Sequence, residues 1–356
     1  MAIEKISIEI FLSIRKEYTV LDVRSPGEFA HAHIPGAYSL PLFTDEERKI
    51  VGTAYKQQSR EQAIKIGLDY FGTKMRKMVE EVERLTASQQ TDIGKKKTVI
   101  VHCWRGGMRS AGVGWLLDLY GFKVYTLNGG YKIFRRWALE QFEKKYSFKV
   151  IGGYTGSGKT EMLKVIESKG EKTIDLEALA RHKGSAFGSL GEPGQPTQEM
   201  FENKLAVELS NFSEGKSGIW IEDESQRIGN LNIPSTLYRC KQSMPVYFVD
   251  IPFEERLQNI VNCYGKFDKE KLVNAIIRIK KRLGPLETKN AINYLLDDDV
   301  KNCFSILLKY YDKSYSKSLS HQRENSEHKI RKIECSSVDA TYNAEYILKT
   351  FENIIA

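Results

Sequence analysis

Apolar residues recur along the chain in short, nearly unbroken runs, each followed by a segment with helical spacing. That alternation predicts parallel strands joined by crossover helices. Residues 18–23 read as a buried strand ending at Arg24, and Pro26 suits the first position of the short helix that follows. Residues 39–42 read as a further short strand. The stretch from 44 to 67 reads as helical with breaks at glycine, and 75–85 as a charged amphipathic helix. Thr98, Val99, Ile100 and Val101 form an apolar run expected to be a buried strand, with a helical segment at 111–117 behind it. Residues 134–146 form a basic, aromatic helix carrying Arg135, Arg136, Trp137, Lys144 and Lys145.

The same alternation resumes after it. Strands are expected at 148–152, at 172–176 with Asp175 at the ligand end, at 217–225 and at 244–251. The third of these ends in the acids Glu222, Asp223 and Glu224, resembling a Walker B position. Residues 184–198 read as a long loop, and loops of that length are more often functional than ornamental. A helix opens at 253–257, and from Asn262 onward the pattern is mostly helical. It includes a basic helix at 276–284 with Lys281 and Arg282, and an aromatic cluster of Tyr310, Tyr311 and Tyr315. The basic helix reads equally as a plain surface helix or as a lid or RNA contact. The tyrosines could stack bases or pack against the core.

Composition then bounds the class. A chain of 356 residues with 41% hydrophobic and 28% charged residues suits two globular α/β domains. The expected division is 1–146, with a helical insertion over about 44–90, and 147–356. No apolar run approaches a membrane span, and the N-terminal residues lack a secretory pattern. With five scattered cysteines, the expectation is a reducing cytoplasm and no zinc site. The net charge of +8 fits a polyanionic partner such as RNA.

Candidate chemistry concentrates at two loops. Cys103 lies between a strand and a helix N-terminus, where backbone N–H groups converge and the helix dipole is positive. Gly106 and Gly107 let the backbone curl into an anion nest, and Arg105 and Arg109 are candidate partners of a thiolate or an incoming oxyanion. A cysteine merely buried beside a turn would need none of these, so Cys103 is the expected nucleophile. His31 and His33 have no recognisable third ligand, so packing and hydrogen bonding are their expected role. The second loop, Gly153, Tyr154, Thr155, Gly156, Ser157, Gly158, Lys159 and Thr160, has P-loop spacing and sits between an expected strand and helix. Its amides can wrap a phosphate chain, Lys159 can neutralise it and Thr160 can reach Mg²⁺. Asp175, Glu222 and Asp223 are the candidate acids beside a metal.

Several of these motifs occur in the order of the rhodanese domain. Leu21, Asp22, Val23, Arg24, Ser25, Pro26, Gly27, Glu28 and Phe29 come first, then His33, Ile34, Pro35, Gly36 and Ala37. After the Cys103 loop come Leu127, Asn128, Gly129, Gly130 and Tyr131, with Trp137. Residues 8–140 thus resemble that domain, which implies a parallel sheet whose cysteine carries a sulfur-group atom. It also implies that Asp22 and Arg24 are structural polar anchors. The five residues between Cys103 and Arg109 match the signature of cysteine phosphatases as well, although no aspartic general acid is recognisable.

The whole chain points further. Glu47 and Arg48, followed by Val51, Gly52, Thr53, Tyr55 and Lys56, form a pattern similar to one in bacterial tRNA 2-selenouridine synthases. A Cys-loop carrier fused to a P-loop domain resembles that family over nearly its full length. The resemblance implies exchange of the sulfur of a wobble 2-thiouridine for selenium, through an S-geranyl intermediate, using selenophosphate and geranyl diphosphate. Cys103 would carry selenium as a selenosulfide, with Arg105 and Arg109 holding the donor, and the P-loop would bind the diphosphate. Arg48, Tyr55, Lys56, Lys281 and Arg282 would contact tRNA, and a selenophosphate-supplying enzyme is a candidate partner. The rival readings are a generic sulfurtransferase or phosphatase fused to a kinase-like module, and a non-catalytic tRNA-binding adaptor.

Overall fold

The computed structural model describes residues 3–87, 97–212, 218–322 and 330–355. Ser217 and the last residues of the expected insertion, 88–90, lie outside them. The chain divides into two compact units, Met1–Gln141 with Glu202–Val207, and Phe142–Phe201 with Glu208–Ala356.

The first unit is built on a five-stranded sheet in the order Glu4–Ile6, Lys123–Leu127, Thr98–His102, Thr19–Asp22, Tyr38–Ser39. Every pairing in it is parallel. The central strand, Thr98–His102, is buried at all five positions, as a strand covered on both faces must be. Its register sets His102 opposite Asp22, so the chain leaves the sheet at Cys103, on the carboxyl edge where open α/β sheets bind ligands. Beside it, Arg24 grips Asp22 through Nε at 2.9 Å, donates to the Ala32 carbonyl at 2.7 Å and lies 3.9 Å from the Tyr131 ring centre. This buried pair fixes the turn after the strand. His33 Nδ1 lies 2.9 Å from the Phe29 carbonyl oxygen, and the imidazole stacks on Phe29.

The stretch after Thr44 forms three helices, Asp45–Gln57, Arg60–Gly72 and Met75–Leu85. The breaks are not at Gly52 or Gly67, which sit inside helices. Ser59 makes the first break by accepting from the Gln62 amide as an N-cap. Gly67 instead lets the Phe43 ring approach to 3.3 Å from where a Cβ would stand. The amphipathic helix buries Met78, Val79 and Val82. The basic helix spans Gly130–Gln141 rather than starting at Phe134.

The second unit repeats the plan, with parallel strands in the order Ile330–Glu334, Val246–Asp250, Phe148–Gly153, Ile219–Glu222, Thr173–Ile174. Within the mostly helical C-terminal stretch, Ile330–Glu334 is a strand that the sequence pattern does not announce. Its alternating charges read as surface, yet as an edge strand it needs only Ile333 buried. The strand at 172–176 is also shorter than expected, because Asp175 leaves the sheet to cap the helix Leu176–Ala180. Among the described residues, no helix is long and apolar enough to cross a membrane.

Candidate functional site

The Cys103 loop is shaped by its neighbours rather than by its own arginines. The amides of Tyr131 and Lys132 donate to the carbonyls of Cys103 and Trp104, at 2.8 and 3.0 Å, so the helix Gly130–Gln141 is anchored directly on the loop. That approach demands glycine. A Cβ on Gly130 (φ +57°) would stand 2.2 Å from the Cys103 carbonyl oxygen. Gly130→Ala is therefore expected to destabilise the protein by roughly 2 kcal/mol or more, read as a lower thermal midpoint. Gly52→Ala, on an exposed helical position with open space around it, should not lower it.

The thiol is 3% exposed. It accepts a hydrogen bond from the Gly107 amide at 3.3 Å and lies 3.3 Å from Ser110 Oγ. Burial alone pushes this thiol up, but the Ser110 hydroxyl and the Ser110, Gly107 and Arg105 amides outweigh it, leaving the thiol below its ordinary value. Burial and hydrogen bonds are the leading influences in that balance. Arg105 acts through its backbone, its side chain being exposed. Arg109 donates from Nη1 to Glu28 Oε2 at 2.9 Å, and Arg48 approaches the same oxygen at 3.7 Å. Hydrogen bonds from the loop thus hold the thiol down, Ser110 first among them, while Arg109 stands at the loop paired with Glu28. Ser110→Ala is expected to move Cys103 ionisation up toward the ordinary thiol value of about 8.5. The pH dependence of alkylation at the Cys103 peptide reads this directly, and an unchanged profile would refute it.

Of the expected RNA contacts, Arg48 and Lys56 line a groove of about 550 Å³ on the helix Asp45–Gln57. Tyr55 is exposed on the same helix outside that lining. In the second unit Lys281 is exposed and Arg282 borders the large cavity described below.

The P-loop leaves the central strand Phe148–Gly153 and enters the helix Lys159–Ser168. Gly156 and Gly158 hold φ values of +85° and +74°, the conformations that turn successive amides inward. Lys159 Nζ donates to the Gly153 carbonyl at 3.1 Å, and Ser157 is buried, its Oγ without a hydrogen-bond partner among the described residues. Behind the loop, Arg256 forms a two-point pair with Asp312 at 2.9 and 2.8 Å and donates to the Thr155 carbonyl. Tyr315 donates to Asp223 at 2.9 Å. The aromatic stretch therefore braces the loop from behind, while Tyr310 and Tyr311 face a cavity of about 820 Å³ in front of it. The cavity lining joins side chains of one apolar cluster, including Phe187, Phe304 and Leu307, to the polar groups of the phosphate loop.

The acids gather differently from the sequence expectation. Thr160 Oγ1 is 2.8 Å from Glu222 Oε1 and 3.1 Å from Glu177 Oε2. Its single hydroxyl proton serves one of them at a time, which leaves the carboxyl groups crowded together. Burial first, then mutual repulsion with Glu224, pushes Glu177 and Glu222 well above the carboxylate range, and burial pushes Glu224 up as well. Asp175 is outside this group because its side chain caps a helix through the Ala178 amide at 2.8 Å. Asp223 is turned toward Lys241 and Tyr315. Only Glu222 of the three expected acids belongs to the cluster; Glu177 was missed because its signal lies in a helix turn, not in a strand end.

Known proteins share both halves. Residues 12–136 match the rhodanese-like domain, and residues 146–344 match the family described as the tRNA 2-selenouridine synthase AAA domain. The tRNA 2-selenouridine synthase of Hydrogenovibrio crunogenus is 35% identical over 293 residues, covering 76% of this chain and 77% of that one. The enzyme of the same name from Bdellovibrio bacteriovorus is 38% identical over 252 residues, 69% and 64% of the two chains. That from Aeromonas salmonicida is 32% identical over 358 residues, covering 91% and 94%. With both motif sets in one chain and relatives matched along most of it, the protein belongs to the tRNA 2-selenouridine synthase family.

Proposed function

We propose that this chain is a tRNA-modifying selenotransferase that converts wobble 2-thiouridine to 2-selenouridine through S-geranyl-2-thiouridine. The rhodanese-like part, residues 1–146, handles selenium, and the P-loop part, residues 147–356, handles geranyl diphosphate. The observation that carries this reading is a thiol hydrogen-bonded by the Ser110 hydroxyl and loop amides, which hold it below its ordinary ionisation range, in a chain whose second unit carries a phosphate loop lining a part-apolar cavity. That cavity offers each half of a prenyl diphosphate a matching wall.

Alkylation matters because a thiocarbonyl sulfur is a poor leaving group, whereas a geranylated sulfur departs as a thiolate. Release of selenide from selenophosphate by water would make the exchange redox-neutral, with phosphate and geranylthiolate as the products. A selenosulfide on Cys103 holds selenium two electrons higher. By that route the thiolate attacks selenium, an S–Se bond replaces the Se–P bond, and the electron pair leaves on phosphorus as phosphite. The terminal selenium then displaces geranylthiolate at C2, and a thiol reductant cleaves the S–Se bond to regenerate Cys103.

The loop amides hold the selenophosphate oxygens, with Arg105 at the rim and Arg109 available once Glu28 releases it. Lys159 and the glycines Gly153, Gly156 and Gly158 hold the diphosphate, with Ser157 and Thr160 beside it and Mg²⁺ as its counter-ion. Arg48, Tyr55, Lys56, Lys281 and Arg282 supply phosphate and base contacts to tRNA. A selenophosphate-supplying enzyme would be the upstream partner.

Nucleoside mass spectrometry tests this reading. Thiouridine-containing tRNA incubated with protein and geranyl diphosphate should yield S-geranyl-thiouridine, and selenophosphate should then convert it to 2-selenouridine. Turnover of thiosulfate or an aryl phosphate with no change to tRNA would favour the simple sulfurtransferase or phosphatase instead.

A further inference from the structure

The carboxylates in front of the phosphate loop form a denser group than phosphate binding requires. We propose that Glu177, Glu222 and Glu224 together bind a divalent cation of the Mg²⁺ or Mn²⁺ type directly, with no phosphate needed to hold it. One oxygen from each residue lies within 4.8 Å of the other two, a spacing that a single ion with metal–oxygen bonds of about 2.0–2.6 Å can bridge. A donor set of oxygens alone selects a hard cation over zinc or copper.

A second observation points to the same ligand. Glu222 is 1% exposed and its Oε2 is buried with no hydrogen-bond partner among the described residues, while Oε1 is satisfied by Thr160. Buried carboxylate oxygens ordinarily find a donor, and the carboxyl groups of Glu177 and Glu224 gather beside Glu222. Among the described residues, none of the three carboxyl groups forms an ion pair with lysine or arginine. Lys159 is turned to the Gly153 carbonyl, and Lys241 to the Glu222 and Glu224 carbonyls and Asp223. Lys159 acts on all three carboxyl groups, and Lys241 on Glu224, only through space, so a cation bound among them would supply the direct counter-charge.

A phosphate loop by itself contributes Thr160 and one strand-end acid to an ion held chiefly by phosphate oxygens. Glu177, from the helix Leu176–Ala180, and Glu224 add two direct ligands. The site can then fill before any diphosphate arrives and present the incoming anion with a fixed positive charge. This inference stands apart from the geranyl reading, since it concerns the metal alone.

Titration of the full chain with Mn²⁺ in phosphate-free buffer, followed by the loss of the free-ion electron paramagnetic resonance signal, is the test. One Mn²⁺ per chain is expected, displaced by Mg²⁺. Glu177→Gln and Glu224→Gln should each weaken it by about tenfold or more, whereas Asp175→Asn should not. A thermal readout covers the folding of the variants: Mg²⁺ should raise the melting midpoint of the wild-type chain. The two glutamine variants, relieved of like-charge repulsion, should start higher and not respond. Mn²⁺ binding that appears only with added diphosphate, or that is indifferent to both glutamine substitutions, would overturn the proposal.

Discussion

Cys103→Ser is expected to abolish selenium incorporation into thiolated tRNA, by about a thousandfold or more, while S-geranylation continues at close to the wild-type rate. Serine nearly preserves the shape of a residue that is 3% exposed, so the fold should survive. What it loses is ionisation. The Gly107 amide and Ser110 hydroxyl that stabilise a thiolate cannot bring an alkoxide within reach of neutral pH, and oxygen is the poorer nucleophile toward selenium. Nucleoside mass spectrometry separates the two outcomes, because S-geranyl-thiouridine should accumulate in the variant. Selenouridine formed at the normal rate would remove Cys103 from the chemistry.

Lys159→Ala should produce the opposite phenotype. The lysine opens the helix Lys159–Ser168 and is held against the Gly153 carbonyl, ready to turn to a phosphate oxygen. Its loss should reduce geranyl diphosphate use by about 100-fold, leaving selenation of tRNA that is already geranylated near normal. Because the two residues lie in different units, S-geranylated tRNA supplied ready-made should restore 2-selenouridine formation in Lys159→Ala but not in Cys103→Ser. Geranylation at an unchanged rate in Lys159→Ala would place the diphosphate elsewhere.

Both loops were legible in the sequence because their chemistry is local. A strand, a run of glycines and a helix start occupy consecutive positions, so residues 148–166 announce a phosphate cradle without help from the rest of the chain. The partners of those loops were not legible, since they come from afar. Glu28 reaches Arg109 across 81 residues and takes up a guanidinium that the spacing alone assigns to the thiol. Thr160 meets Glu222 across 62 residues and Glu177 across 17. In the second case Asp175, the more conspicuous acid, is diverted by its helix-capping bond. The missed strands have a similar cause. Glu4–Ile6 has three residues and buries one, and Ile330–Glu334 has a charged edge pattern, so their hydrophobic signal falls below what periodicity can detect.

The central claim is that Cys103 itself carries selenium between the donor and the RNA. Its most direct test exposes the full chain to selenophosphate without RNA, then digests it and weighs the peptide containing Cys103. The account predicts one selenium atom on that peptide, lost when S-geranylated tRNA is added and recovered as 2-selenouridine. A Cys103 peptide that never gains selenium, under conditions where the complete mixture still makes 2-selenouridine, would contradict it.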